Sequence, residues 1–336
     1  MSSAKVEPKD GYAAVRDGGT GLIDLSSRAR IRVGGSEAVM FLNGLITNDV
    51  KNLGANRWMP AVFPTVQGRL IGAVRVIRGA APEFLIDTEA ATHEAVLKTI
   101  SRFTLAGDFK VTDVTTETAS LAVQGKGSAE LIEKVLTAVA ADLPRNGVVE
   151  SEWQSVPLTI ARATHTAEDG FDVIVHASRV AELRAALEAG GATPVSDDEF
   201  DTLRIEAGVA RFGRDMDETN VVPETNLDDA VSYTKGCYVG QEIIVRIKHR
   251  GHPAKKLTGL SLDTERRLEP GAVIRTAGNN DIGRVTSATV SPKLGGIALG
   301  YVRYEFLEPG TSVTVDNDVS GTVTELPLIR GSWYDE

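Results

Sequence analysis

From about residue 255 onward the chain runs as short strand-like segments spaced by turns: KLTGLSL, GAVIRTAG, DIGRVTSATV, GIALGYVRY, TSVTVD and GTVTELPL, with no helical stretch among them. That spacing is the signature of a small all-β barrel or sandwich. It puts a domain boundary near His252 and Pro253. With 336 residues in all, two or three packed domains are expected.

The part before the boundary mixes strand and helix. RARIRVGG (28–35) reads as a strand and SEAVMFLNGL (36–45) as a helix with Ser36 placed to cap it. Strands are expected near 58–63, 69–78 and 83–88, then a helix near 91–102 carrying Ala95, Val96, Leu97 and Ile100. FKVTDV and ASLAVQG read as strands, GSAELIEKVLTAVA as a helix and ADLPRNG as a turn-rich break. LTIARATHT and FDVIVHA read as two more strands, followed by helices near 178–189 and 197–208. The class is α+β, and the β-α-β-β-α-β flavour suggests ferredoxin-like units.

Composition removes several functions. A formal charge of -10 argues against a surface that grips nucleic acid or anionic lipid as a whole. A single cysteine excludes an intramolecular disulfide framework and a cysteine-cluster metal site, and suits a reducing compartment. The opening MSSAKVEPKDGYAAVRDGG lacks the apolar core of a signal peptide, and its mixture of Lys5, Glu7, Lys9 and Asp10 differs from an acid-poor transit peptide. No run approaches a membrane span, so a cytoplasmic protein without a membrane partner is expected. His93, His165 and His176 sit in scattered helix and strand contexts without ligand spacing, and no P-loop, GxSxG elbow or dinucleotide fingerprint is present.

The one cysteine lies in TKGCYVGQE. Gly236 and Gly240 bracket Cys237 and allow a tight turn. Lys235 two residues earlier, together with a helix end near the thiol, would stabilise a thiolate. Isolated cysteines more often pack as small hydrophobes, but this polar, turn-forming context sets Cys237 apart. In EIIVRIKHRGH, Ile243, Val245 and Ile247 alternate with Ile244, Arg246, Lys248 and Arg250, which reads as a strand with one basic side. Such a strand is either a solvated edge or an anion site for a small ligand, an acidic partner or RNA phosphate. With only Tyr233 and Tyr238 nearby, base stacking is thinly supported and direct nucleic-acid binding is not expected.

KGCYVGQE resembles the signature of the YgfZ family of folate-binding proteins, whose mitochondrial relatives assist iron-sulfur cluster assembly. GLIDLSSRARIRVGGSEAVMFLNGLITNDV and LRIEAGVARFGRDMDETNVVPETNL are similar to segments of the wider aminomethyltransferase (glycine cleavage T-protein) superfamily. The resemblance implies a three-domain ring around a channel for tetrahydrofolate, with the first two domains ferredoxin-like and interleaved: 1–48 with 115–212, 49–114 with 213–252, and a C-terminal β-barrel at 253–336. It implies that Asp172 reads the pterin edge, that Arg204 and Glu206 match an RxExG segment, and that Tyr238 and Arg246 belong to the folate site, the folate glutamate tail being one anion for the basic stretch.

The sequence departs from that pattern in VQGRLIGAVRV, where Leu70, Ile71, Gly72 and Ala73 stand in place of the superfamily's acidic residue. Losing an acid-base group costs roughly 10² to 10⁴ in rate, so classical aminomethyl transfer is not expected. The resemblance then implies an accessory protein for iron-sulfur cluster assembly or repair, acting on client enzymes or carriers through Cys237 as thiol or shared ligand, with indirect effects on tRNA modification. Such clusters usually need four ligands, so a partner, a second protomer, glutaredoxin or glutathione would supply the rest. The alternative is a tetrahydrofolate-dependent one-carbon transferase or demethylase.

Overall fold

The computed structural model describes residues 10–105, 107–316 and 318–335, together with the backbone but not the side chain of Arg250. The reading of residues 1–9 as neither signal nor transit peptide lies outside that set, as does the Arg250 side chain. The α+β class and the C-terminal barrel both hold. Two sheets and a closed barrel organise the chain.

The first sheet runs Thr193–Pro194, Gly21–Asp24, Thr118–Gln124, Gly170–His176, Val156–Arg162, Val148–Trp153 in hydrogen-bonding order. Period-two alternation sends Leu121, Val123, Phe171, Val173 and Val175 to one face, where helices Ser128–Leu136 and Val180–Gly190 cover them with Leu131, Ile132, Leu183 and Leu187. The second sheet runs Arg57–Pro64, Leu70–Arg78, Phe84–Thr88, Ala29–Gly34, Lys110–Asp113. Its Ile31, Val33, Phe63, Val74, Val76 and Ile86 meet helices Ala38–Leu45 and His93–Ser101 through Leu42, Val96 and Ile100.

The remaining faces of the two sheets turn toward each other. Ile77 packs there with Val148, Ala161 and Ile174, flanked by Trp58 and Leu85. Because side chains on one strand face share parity, Arg75 and Ala73 point the same way as Ile77, and Asp172 the same way as Ile174. That parity builds the candidate site.

The six barrel strands close in the order Lys255–Leu262, Gly295–Arg303, Asp281–Ser291, Val273–Arg275, Ser312–Val315, Val319–Thr324 around Leu260, Ile274, Val285, Ala298, Val302, Val313 and Val323. Helix Asp197–Glu206, opened by a Ser196–Glu199 capping box, lies on the outside of the barrel and packs Ile205 on Leu257, Ile297 and Leu299. Among the described residues no helix is long and apolar enough to cross a membrane.

Several local expectations are corrected. Gln241–Arg250 is a helix, not a strand: Ile243, Ile244 and Ile247 fall on one side of a 3.6-residue turn, and Ile244 is buried with Val62, Leu70 and Tyr238. Ser36 does not cap Ala38–Leu45; its hydroxyl donates to Asp108 Oδ2 at 2.9 Å, and Glu37 holds the cap position without a side-chain bond. Ala29–Gly34 and Ala38–Leu45, expected with residues 115–212, belong to the second sheet, because Ala29–Gly34 pairs with Phe84–Thr88 and Lys110–Asp113. Helix Asp10–Arg16 and strands Gly21–Asp24 and Val148–Trp153 were not anticipated.

Candidate ligand cavity and cysteine loop

Where the two sheets part, they enclose a cavity of about 310 Å³. Trp58, Pro60, Ala73 and Arg75 line it from the second sheet, and Asp24, Thr164 and His165 from the first. Phe200, Phe212, Met216, Leu227 and Asp229 complete the wall. Flat apolar surfaces beside a few polar groups, at this size, suit a small-molecule site. A more open hollow of about 570 Å³ lies between the Gly213–Asn220 segment and the outer face of the barrel, away from both facing sheets.

Cations in the inner cavity are held by buried carboxylates. Arg75 reaches across the sheet interface to Asp172, whose oxygens also lie 2.9 and 3.1 Å from His165 Nε2. Asp87, fully buried, takes Arg75 at 2.8 Å and Arg28 at 2.9 Å. Glu89 takes Arg28 at 2.8 Å and Arg211 at 3.1 Å. Burial alone would raise the Asp172 carboxyl, but Arg75 and then His165 outweigh it and hold it well below the usual range. Arg28, Arg75 and Arg30 do the same against burial for Asp87.

Depressed carboxyls fix the sign of the acid response. A carboxylate whose folded pKa lies below its unfolded value of about 3.9 contributes stability that is complete above about pH 5 and is lost as pH falls. Asp87, Asp172, Glu89 and Asp201 all shift downward, so the urea midpoint should hold between about pH 7 and 5 and drop below about pH 4. Asp229 shifts upward and opposes this trend, as one group against these four and others that shift downward, among them Asp24 and Glu199. A midpoint that rose on acidification toward pH 3 would contradict the assignment.

Asp229 differs from the other cavity carboxylates. It sits on the single turn Asp228–Ala230, exposed into the cavity; its carboxyl accepts from the amides of its own turn, Asp229 and Ala230, but pairs with no other side chain among the described residues, and its backbone carbonyl accepts from Asn48 Nδ2 at 3.0 Å. The surrounding walls strip water from the carboxyl and push its pKa up, with the Asp228 carboxylate adding to the shift. Asp228 points outward to Lys256 at 3.2 Å and Lys248 at 3.8 Å.

The cysteine loop is anchored from below. Lys235 is buried, and its Nζ donates to the carbonyls of Asn43, Ile46 and Asn48 at 2.7, 2.9 and 2.6 Å, satisfying groups at the C-terminal end of helix Ala38–Leu45. Burial lowers the Lys235 ammonium to about 8. Tyr238 is buried beneath the loop; its ring lies 5.1 Å from Lys235 Nζ, its hydroxyl has no partner among the described residues, and burial pushes it up to about 12. Gly240 adopts φ +75°, and a Cβ there would come within 2.3 Å of the Thr65 carbonyl, so only glycine fits before helix Gln241–Arg250. Cys237 stands exposed at the tip.

Two family models cover the chain: the GCVT N-terminal domain matches residues 6–235, and the glycine cleavage T-protein C-terminal barrel domain matches residues 255–335. The chain belongs to the glycine cleavage T-protein family. An aminomethyltransferase of Rubrobacter xylanophilus is 32% identical across 92% of this chain and 83% of its own length. One from Halothermothrix orenii is 29% identical across 92% of this chain and 88% of its own length. The crystal structure of glycine cleavage system aminomethyltransferase T from Bartonella henselae shares the fold, with a TM-score of 0.87 at 23% identity over 95% of this chain and 89% of that one.

Within this T-protein fold the expected site residues separate. Asp172 lies behind the cavity wall, closed off by Arg75 and His165. Arg204 borders the cavity, but its guanidinium is bound to Asp201, Asp215 and Ser287. Glu206 does not line the cavity; Tyr12, Arg16 and Ser291 occupy its oxygens at 2.7, 2.8 and 2.5 Å. The two residues matched to the RxExG segment thus serve two separate buried networks. Cys237, Lys235, Tyr238 and exposed Arg246 do not line the cavity; Tyr238 packs with Val62, Leu70 and Met216, and Lys235 lies under its ring.

Sequence reading passed over Arg75, His165 and Asp229. For Arg75 the available signal was a charge inside an otherwise apolar strand, LIGAVRVIR. For Asp229 no local signal distinguishes it from Asp228.

Proposed function

We propose that this protein binds tetrahydrofolate in the inner cavity and acts through Cys237 in the assembly or repair of iron-sulfur clusters in the cytoplasm, with effects on tRNA modification that arise indirectly through cluster-dependent enzymes. The observation that carries this reading is spatial: the thiol stands exposed on an anchored loop outside the cavity, while the cavity wall at Ala73 offers no carboxylate. Residues 236–254, holding Cys237 and the basic helix, fall between the two matched family segments.

The cavity fits a pterin in kind: Trp58, Pro60 and Phe200 offer flat surfaces, and Asp229 offers a hydrogen-bond acceptor. Tetrahydrofolate, when bound, supplies one-carbon carrying capacity at its ring nitrogens. This chain's own residues hold the ring and exclude water. A cluster is cargo rather than a resident group, since no group of three or more metal-ligating side chains exists among the described residues and Cys237 offers one thiolate. A client protein, a carrier such as glutaredoxin, glutathione or a second copy of the chain would provide the remaining ligands.

In cells whose only copy carries Cys237→Ser, the activity of cluster-dependent enzymes should collapse while the purified variant keeps its melting temperature and folate affinity. Normal enzyme activity in those cells would refute the role of the thiol. The second reading, a tetrahydrofolate-dependent one-carbon transferase, draws support from the aminomethyltransferase relatives and from Asp229. Methylene- or methylfolate formed from candidate amines or methylated thiols in the presence of the purified protein would favour it.

A further inference from the structure

We propose that Asp229 is the residue that reads the N–H edge of the ligand in the inner cavity, the role that sequence similarity had assigned to Asp172. The proposal rests on the reading that a pterin occupies this cavity, and it names the protein group that recognises it.

Asp172 cannot present a carboxylate to a ligand in this arrangement. It is fully buried, one oxygen lies 2.9 Å from His165 Nε2, and the other is held by Arg75. Arg75 and His165, not Asp172, form the wall. Asp24 is tied to Arg184 at 2.5 Å and to the Ser26 amide at 2.8 Å, and Glu89 to Arg28 and Arg211. Asp197 opens helix Asp197–Glu206, with Asp198 and Glu199 beside it in the first turn. Asp229 lines the cavity from a one-turn segment, and its carboxyl pairs with no other side chain among the described residues, only the amides of its own turn bonding to it.

Its setting matches the task. An aminopyrimidinone ring presents two adjacent N–H donors, and a carboxylate accepts such a pair through both oxygens. Donors buried without an acceptor are costly, so a ligand of this kind requires one where it loses water. Apolar Ala73, Met216 and Leu227 share the wall with Asp229 and leave it as the acceptor for that edge. Asn48, bonded to the Asp229 carbonyl, and the Asp228 links to Lys248 and Lys256 fix the turn from behind.

The test is calorimetric titration of tetrahydrofolate, and of its 2-desamino-2-methyl analogue lacking the exocyclic donor, into four proteins: wild type, Asp229→Asn, Asp229→Ala and Ala73→Phe. Wild type should bind tetrahydrofolate saturably and Ala73→Phe should not. Asp229→Asn and Asp229→Ala should each weaken tetrahydrofolate binding by about 10- to 100-fold, the usual range for a charged hydrogen bond. Both should lose less affinity for the analogue than for tetrahydrofolate, because the analogue keeps only the ring N3–H donor.

Equal tetrahydrofolate affinity in wild type and folded Asp229→Asn, with Ala73→Phe still blocking, would overturn the role of Asp229 and leave the cavity reading standing. Equal losses for both ligands would also overturn it, since the effect would not depend on the donor edge. No binding by wild type, or undiminished binding by Ala73→Phe, would remove the cavity reading and this inference with it.

Discussion

Arg204→Ala should lower the unfolding free energy by about 3–5 kcal/mol, the usual loss when one member of a buried ion pair is removed. Arg204 is fully buried, and so, nearly, is Asp215, which its guanidinium contacts. The same group binds Asp201 at 2.8 Å and donates to Ser287 Oγ of the barrel at 2.6 Å. Asp201 keeps Arg214 and Arg267 when Arg204 is lost. Among the described residues Asp215 keeps the Arg211 amide at 3.0 Å and the Thr286 hydroxyl at 2.6 Å, neither of which carries charge. The penalty is therefore the stranded Asp215 charge. Arg204→Lys should recover part of it, because an ammonium neutralises the charge without reproducing the fork to two carboxylates. Urea denaturation measures both, and a loss below about 1 kcal/mol for the alanine variant would show that Asp215 is solvated in another way.

Arg75→Met should have a comparable effect, because among the described residues it leaves Asp172 hydrogen-bonded by the His165 side chain without a guanidinium in contact, and it removes one of the cations around Asp87. A loss of about 3 kcal/mol or more is expected, with the sheet interface around Ile77 and Ile174 loosening first. Adding Asp172→Asn should restore more than half of that loss, since the cost comes from the unpaired charge rather than from the missing side chain. Additive behaviour of the two changes would argue that the arginine acts by packing alone.

The barrel was legible because each strand is local, alternates by two and ends at a turn; each of the six expected segments overlaps one of the six observed strands. Helix Gln241–Arg250 was misread for a physical reason. Its β-branched residues favour strands, and an alternating run of isoleucines and cations also satisfies a helix when Ile243, Ile244 and Ile247 share a side. Sheet membership of Ala29–Gly34 depends on partners more than fifty residues away, which no local pattern reveals.

The cavity was less legible for the same reason. Arg75 and Asp172 are separated by 97 positions, and only the facing of two sheets joins them. The loop around Cys237 was visible as a motif, but the direction of Lys235 was not: its ammonium turns inward to three carbonyls.

Helix Asp197–Glu206 carries one further consequence. Toward the first sheet, Glu206 holds Arg16 and Tyr12; toward the barrel, the same carboxylate accepts from Ser291, while Thr202 meets Thr289 at 2.8 Å and Arg204 meets Ser287. Glu206 is thus a rivet driven through two bodies at once: Arg16 compensates its charge from one side, and the Ser291 hydroxyl of the barrel completes its hydrogen bonds from the other. Excising the barrel from the remaining chain would leave polar groups of this helix facing water on a surface shaped for another domain. The folding unit is the assembled chain, and its parts are not interchangeable modules.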